Sequence, residues 1–196
     1  MILGSVTADQ MATVEDALTN RLGLDPLVRC ENAAAAVAEQ SRRMLGSLTN
    51  QSIVILVGFG SAAEVGAAQA RRLANWGAQV TILLALDRQN VSPQVARQLE
   101  LAERCGVPVF DPGALMPPAE LIVDGLAGYQ PPSRLTDHAA DLAALALGVK
   151  VPMLAIDVPS GLDATTGKAD QPAIRADVTV ALGYPKAGTC KPFATN

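Results

Sequence analysis

Hydrophobic positions along this chain alternate between two textures. Short, unbroken aliphatic runs recur at Ser52–Gly58, Ala78–Leu86, Val107–Phe110, Ala119–Asp124, Val151–Asp157 and Asp177–Leu182. Runs of this length without polar alternation predict strands buried on both faces, as in a parallel sheet. Between them lie longer mixed stretches: one from the Gly58–Gly66 loop to about Trp76, Ser92 to Arg104, and one from Pro132 or Ser133 to about Leu147. These predict helices, so the core reads as a doubly wound α/β sheet, mostly parallel, with helices on both faces.

The first 48 residues have a different pattern and predict two helices. One runs from about Thr7 to Arg21, with Thr7 or Asp9 as its N-cap, and ends at the turn LGLDP. The second runs from Pro26 to Leu48; its Ala-rich middle, ENAAAAVAEQ, favours helix and permits close backbone packing. Nothing resembling a linker, repeat or low-complexity tract divides the chain. A single domain over 1–196 is expected, with helices in 1–48 and the α/β core in 52–196.

Composition narrows the chemistry. Of 196 residues, 49% are apolar and 3% aromatic, and the net charge is −4, which offers nucleic acid neither a basic face nor a stacking surface. The one histidine, His138, excludes a two-imidazole mechanism and a His-rich metal site, and reads as a surface residue. Cys30, Cys105 and Cys190 form no CxxC pattern and read as buried free thiols in a reducing compartment. No run approaches the roughly 18 apolar residues of a membrane span, and the start MILGSVTADQ has no signal-peptide texture. The expectation is a soluble, cytoplasmic domain that binds neither membrane nor nucleic acid.

In doubly wound sheets ligands bind beyond the carboxyl ends of the strands. Gly58-Phe59-Gly60-Ser61-Ala62-Ala63-Glu64-Val65-Gly66 follows the first strand. It reads either as an anion cradle at a helix N-terminus or as a packing turn of small residues; Glu64, expected in the first turn, opposes a phosphate. Asp124 ends a later strand, either as a functional carboxylate or as a cap satisfied by the Gly125–Gly128 turn. Asp157 ends another, followed by Pro159, Ser160 and Gly161. Asp124, Asp157, Ser160 and loop carbonyls would form an oxygen-rich, anionic pocket suited to a hard cation or to ribose hydroxyls.

The run MLAIDVPSGLDATTGKADQPAIRADVTVALGYPKAG, Met153 to Gly188, resembles the signature of the YjeF N-terminal domain family, the NAD(P)H-hydrate epimerases. LIVDGLAGYQPPSRL is similar to that family's IVDALFGTGLSRPL. RCENAAAAVAEQ is similar to its MENAGRAVAE, and VGFGSAAEVGAAQARRLANWGAQV to its G-x-G-N-N-G-G-D-G loop and helix. The resemblance implies a Rossmann-like three-layer α/β/α sandwich that epimerises the C6 hydroxyl of hydrated NADH and NADPH. It further implies Asp124 as catalytic acid/base. Asp124 and Ser160 become potassium ligands, and Asp157 touches the nucleotide together with Gly60, Ser61, Ala62, Ala63, Glu64, Gly128, Tyr129 and Gln130. Lys186 matches the family's G-x-P-K-x-G lysine, with a solvated structural lysine as the other reading. The family also allows a homodimer and a dehydratase partner.

This chain departs from the pattern in the first loop. N-N-G-G-D is Ser61-Ala62-Ala63-Glu64-Val65 here, so Ala62 replaces the potassium-binding Asn and Val65 the acid. Tyr129 and Gln130 stand where the family has Thr and Gly. Two further readings follow: a catalytically impaired member acting as a ligand-binding or protein-interaction module, and an enzyme acting on another small substrate.

Overall fold

A computed structural model describes residues 4–130, 134–191 and 194–195. Helix α1 (Ala8–Asp16) is started by a reciprocal cap: Thr7 Oγ1 accepts from Gln10 N at 3.2 Å, and Gln10 Oε1 accepts from Thr7 N at 2.9 Å. It continues into a π-helical turn, Ala17–Arg21. Helix α2 (Pro26–Leu45) starts on the Asp25 side chain and stops at Gly46, so it ends three residues before the expected Leu48.

The core then alternates as expected: β1 (Ser52–Val57), α3 (Gly60–Asn75), β2 (Gln79–Leu84), α4 (Pro93–Arg104), β3 (Val109–Phe110), β4 (Leu121–Gly125), α5 (Asp137–Gly148), β5 (Met153–Ile156), β6 (Lys168–Ala169), β7 (Val178–Val180) and β8 (Ala194–Thr195). Helix α5 begins later than expected, after an extended Thr136; residues 131–133, where its start was expected, lie outside the described residues. The two-residue strands β6 and β8 pair in parallel as a separate ribbon and were not foreseen. Two residues carry no periodicity that a sequence pattern can register.

The main sheet is entirely parallel in the order β3-β2-β1-β4-β5-β7. Ile53, Ile55 and Val57 point to one face, which α3 covers with α2 and α4 packed against it; Val54 and Leu56 point to the other, covered by α5 and the loop before β4. This is the expected α/β/α arrangement, with α2 lying on α3 as an additional outer helix. Helix α1 packs elsewhere: Met11 meets Tyr129, Val158 and Leu162 in a third apolar cluster.

Strand order reverses between β1 and β4, the position at which such sheets open a ligand crevice. Here the two strands stay bonded past their ends: Gly58 N donates to Gly125 O at 3.1 Å and Phe59 N to Leu126 O at 2.9 Å. A Cβ on Gly58 would stand 2.1 Å from the Leu126 carbonyl oxygen, so only glycine permits this closure. No described helix is long and apolar enough to cross a membrane.

Candidate functional site

The structure gathers Ala62, Asp124, Gly128, Tyr129, Asp157 and Ser160 at the carboxyl ends of β4 and β5. All are buried. Gly60 and Gln130 meet at the lip, where a Cβ on Gly60 would stand 2.9 Å from Gln130 Oε1. Three of the expected substrate contacts lie elsewhere. Ala63 is part of the apolar core beneath α3, while Ser61 and Glu64 line a separate cleft. Glu64 is also not in the first turn of α3, because the helix already starts at Gly60; it lines the cleft together with Cys30 of α2.

Asp124 is held from three sides. Its Oδ2 accepts from Ser160 N at 2.7 Å, and its Oδ1 accepts from Ser160 Oγ at 2.7 Å and from Leu126 N at 3.1 Å. Ser160 Oγ in turn accepts from Ala127 N at 3.1 Å. Both readings of Asp124 therefore meet: it caps the turn after β4, and it ties that turn to the loop after β5. Burial pushes its carboxyl above the ordinary range, against the pull of the Ser160 and Leu126 donors. Gly161, at φ +92°, places the turn after Ser160 against Ala173; a Cβ there would stand 2.6 Å from the Ala173 Cα.

Asp157 has a different environment. It takes the left-handed conformation at φ +72°, a strained position for a residue other than glycine. Its Oδ1 accepts from Leu182 N at 2.9 Å and is ion-paired with the Lys186 ammonium. Its Oδ2 is buried without a partner among the described residues, near Gly128, where an added Cβ would stand 3.9 Å away. Burial pushes Asp157 upward, and the charge of Lys186 pulls it back.

Lys186 corrects the expectation of a solvated lysine, because its side chain is 0% exposed. Besides Asp157, Nζ donates to Leu182 O at 2.8 Å and lies 5.2 Å from the centre of the Tyr129 ring. Its backbone is clamped on both sides by the N-terminal segment: Val6 N donates to Pro185 O at 2.9 Å and Ala187 N to Val6 O at 2.8 Å. The pocket is therefore not the uncompensated anionic one that two carboxylates alone suggest. Tyr129 is fixed from the far side, its hydroxyl donating to Glu15 Oε2 of α1 at 2.7 Å. Sequence spacing had no signal for Glu15, which lies 114 residues from its partner.

The residues present do not fit a potassium ion. Ala62 supplies no oxygen from its side chain, and its methyl group faces Gly128, where an added Cβ would stand 3.0 Å away. Asp124 and Ser160 direct their oxygens at each other and at backbone donors rather than at a shared point. Among the described residues there is also no group of three or more His, Cys, Asp or Glu arranged to hold a metal.

His138 is half-exposed on α5, 3.7 Å from Asp141, as expected of a surface residue. Cys30 is buried, but Cys105 and Cys190 are exposed, which corrects the expectation of three buried thiols. Cys105 follows the last turn of α4, where the chain turns outward.

Comparison with known proteins agrees with this architecture. The family model described as YjeF-related protein N-terminus matches residues 27–188. A protein of Weissella koreensis named NAD(P)H-hydrate epimerase is 32% identical over 94% of this chain and 82% of its own length. A protein of the same name from Limosilactobacillus reuteri is 30% identical over 95% of this chain and 87% of its own. The crystal structure of yeast YNL200c superposes with a TM-score of 0.82 at 21% identity, covering 96% of this chain and 84% of that one, which speaks for the fold. The chain belongs to the YjeF N-terminal family and is an NAD(P)H-hydrate epimerase-like protein.

Proposed function

We propose that this protein inverts the hydroxyl-bearing carbon of a hydrated nicotinamide nucleotide, with Asp157 as the acid and base. The observation that carries this reading is the Asp157 carboxyl: one oxygen is fixed by Lys186 and Leu182, and the other is buried without a partner among the described residues. Burial raises the Asp157 carboxyl and the Lys186 charge lowers it, opposing pulls that suit a group which both gives and takes a proton. In the reaction Asp157 gives that proton to the departing hydroxyl, which leaves as water while the ring nitrogen lone pair forms a C=N⁺ bond. Water then adds to the opposite face and returns a proton to the carboxylate. The negative charge of Asp157 stabilises the transient cation within a low-dielectric site.

Asp124 has a different part in this reading from the one its family position implies. Its oxygens already accept three hydrogen bonds, so it is a positioning residue that holds Ser160 and the Leu126–Ala127 turn. No step runs through potassium. Tyr129, packed over Lys186 and tied to Glu15, walls the site on the side of α1.

The test is direct. Purified protein is incubated with a single epimer of hydrated NADH, and the epimers are followed by chromatography. Interconversion well above buffer, reduced at least a hundredfold in Asp157→Asn, is expected. A rate equal to buffer with a folded protein overturns the reading. That result would favour a catalytically impaired binding module, which the loss of the Asn at Ala62 independently suggests.

A further inference from the structure

Glu15 takes no part in the chemistry above, yet several contacts fix where its carboxylate lies. It sits one residue before the end of α1, and Thr19 Oγ1 in the π turn donates to its carbonyl oxygen at 3.0 Å. Thr19 Oγ1 in turn accepts from Arg29 Nη2 of α2 at 2.8 Å. The start of the helix is tied down by Ala8 N, which donates to Thr165 Oγ1 at 3.0 Å. Glu15 is therefore brought to the site on a helix held at both ends. There its Oε2 accepts from the hydroxyl of the buried Tyr129 at 2.7 Å.

Beyond the ring lies Lys186. An ammonium carries three N–H donors. Two serve Asp157 Oδ1 and Leu182 O, and the Tyr129 ring, centred 5.2 Å from Nζ, is a further electron-rich neighbour. A carboxylate that accepts from a phenol leaves more electron density on the ring, and so favours a cation against its face. An ammonium released from that face can turn onto Asp157 Oδ2, the oxygen on which the epimerase reading depends. Two facts make the arrangement this chain's own. Tyr129 stands where the family pattern has Thr, and α1 precedes residues 27–188, over which the family model matches.

We propose that Glu15 is a positioning residue for the Asp157 carboxyl: through the Tyr129 hydroxyl it holds the ring against the Lys186 ammonium, which stays on Oδ1 and leaves Oδ2 to the substrate. The inference rests on the epimerase reading for the reaction, but not for the geometry.

The full chain is compared with Glu15→Leu, Glu15→Gln, Tyr129→Phe and the double variant Glu15→Leu/Tyr129→Phe. In the epimerisation assay Glu15→Leu and Tyr129→Phe are each expected to lose about tenfold in kcat, with KM within about twofold of the parent. The double variant should lose no more than either alone, and Glu15→Gln, whose carbonyl still accepts from the hydroxyl, should stay within about threefold of the parent. Independently of turnover, the Tyr129 ring current displaces the Lys186 ε-methylene proton resonances upfield. That displacement should shrink in Glu15→Leu and Tyr129→Phe and persist in Glu15→Gln. Unchanged kcat in Glu15→Leu, multiplied losses in the double variant, a Glu15→Gln as slow as Glu15→Leu, or an unmoved Lys186 resonance overturns the proposal. A parent that does not epimerise, but whose Lys186 resonance responds to Glu15→Leu, removes the epimerase reading and keeps Glu15 as the residue that sets the Lys186–Asp157 geometry. An active parent indifferent to Glu15→Leu in both measurements does the reverse.

Discussion

Asp157 and Lys186 form an ion pair from which solvent is wholly excluded, 29 residues apart in sequence and joined across the ends of β5 and β7. Such a pair adds little net stability over well-packed apolar residues, but removing one partner strands the other charge in a low-dielectric interior. Lys186→Met is therefore expected to lower unfolding free energy by about 3–5 kcal/mol in urea denaturation. The double variant Asp157→Leu/Lys186→Met should recover most of that loss. If the single and double variants are equally unstable, Lys186 matters for packing rather than for charge.

Asp124 and Ser160 are coupled through two hydrogen bonds of 2.7 Å. Asp124→Asn puts an amide donor where three donors converge, and is expected to destabilise by about 1–3 kcal/mol. Ser160→Ala removes one donor and leaves Ala127 N unpaired. A double-mutant cycle should show a coupling of at least about 0.5 kcal/mol, and additivity would show that the two act independently.

Tyr129→Phe deletes the hydrogen bond that ties the site loop to Glu15 of α1. A loss of about 1 kcal/mol is expected. Amide exchange should quicken selectively in Ala8–Asp16, while the strands of the main sheet keep their protection. Uniform acceleration across the sheet would mean that the ring's packing, not its hydroxyl, had been disturbed.

The acid limb of stability should carry the signature of Asp163. Its Oδ1 accepts from Thr166 N at 2.6 Å, Thr166 Oγ1 at 2.8 Å and Thr165 N at 3.1 Å, and these donors hold its carboxyl below the ordinary range. A group whose folded pKa is depressed stabilises the protein above its unfolded pKa, and that contribution fades as pH falls through the folded value. The unfolding free energy of the parent should thus drop below the usual carboxylate range more steeply than that of Asp163→Asn. Parallel pH profiles would contradict this.

Thiol reactivity offers an independent check on the packing. Cys105 and Cys190 are exposed, whereas burial and the neighbouring Glu64 push the Cys30 thiol far upward. A thiol reagent should label two cysteines of the native protein quickly and the third only on unfolding.

Much of the fold was legible because its signals are local. Runs such as IVILV and MLAI carry enough aliphatic density to identify buried strands, and the acids ending β4 and β5 stand out against them. What escaped was set by contacts between distant segments. Lys186 looks like any lysine near a glycine-rich turn until β7 brings it under Tyr129. Glu15 is an ordinary helical acid until α1 packs on the same ring. Glu64, expected in the first turn of α3, was misplaced because the helix already begins at Gly60. Ala62 announced the loss of an ion ligand in the sequence, but only the structure shows its methyl filling the space toward Gly128.

The bridge from Val6 to the residues flanking Lys186 has a bearing on biosynthesis. Val6 leaves the ribosome well before its partners, which lie about 180 residues further along the chain. Until they follow, Asp157 has no counter-charge and Tyr129 nothing to cover. Chains that stop before β7 lack Lys186 and with it the counter-charge of Asp157, so activity, where it is measured, reports on chains in which the Val6 and Lys186 segments have met.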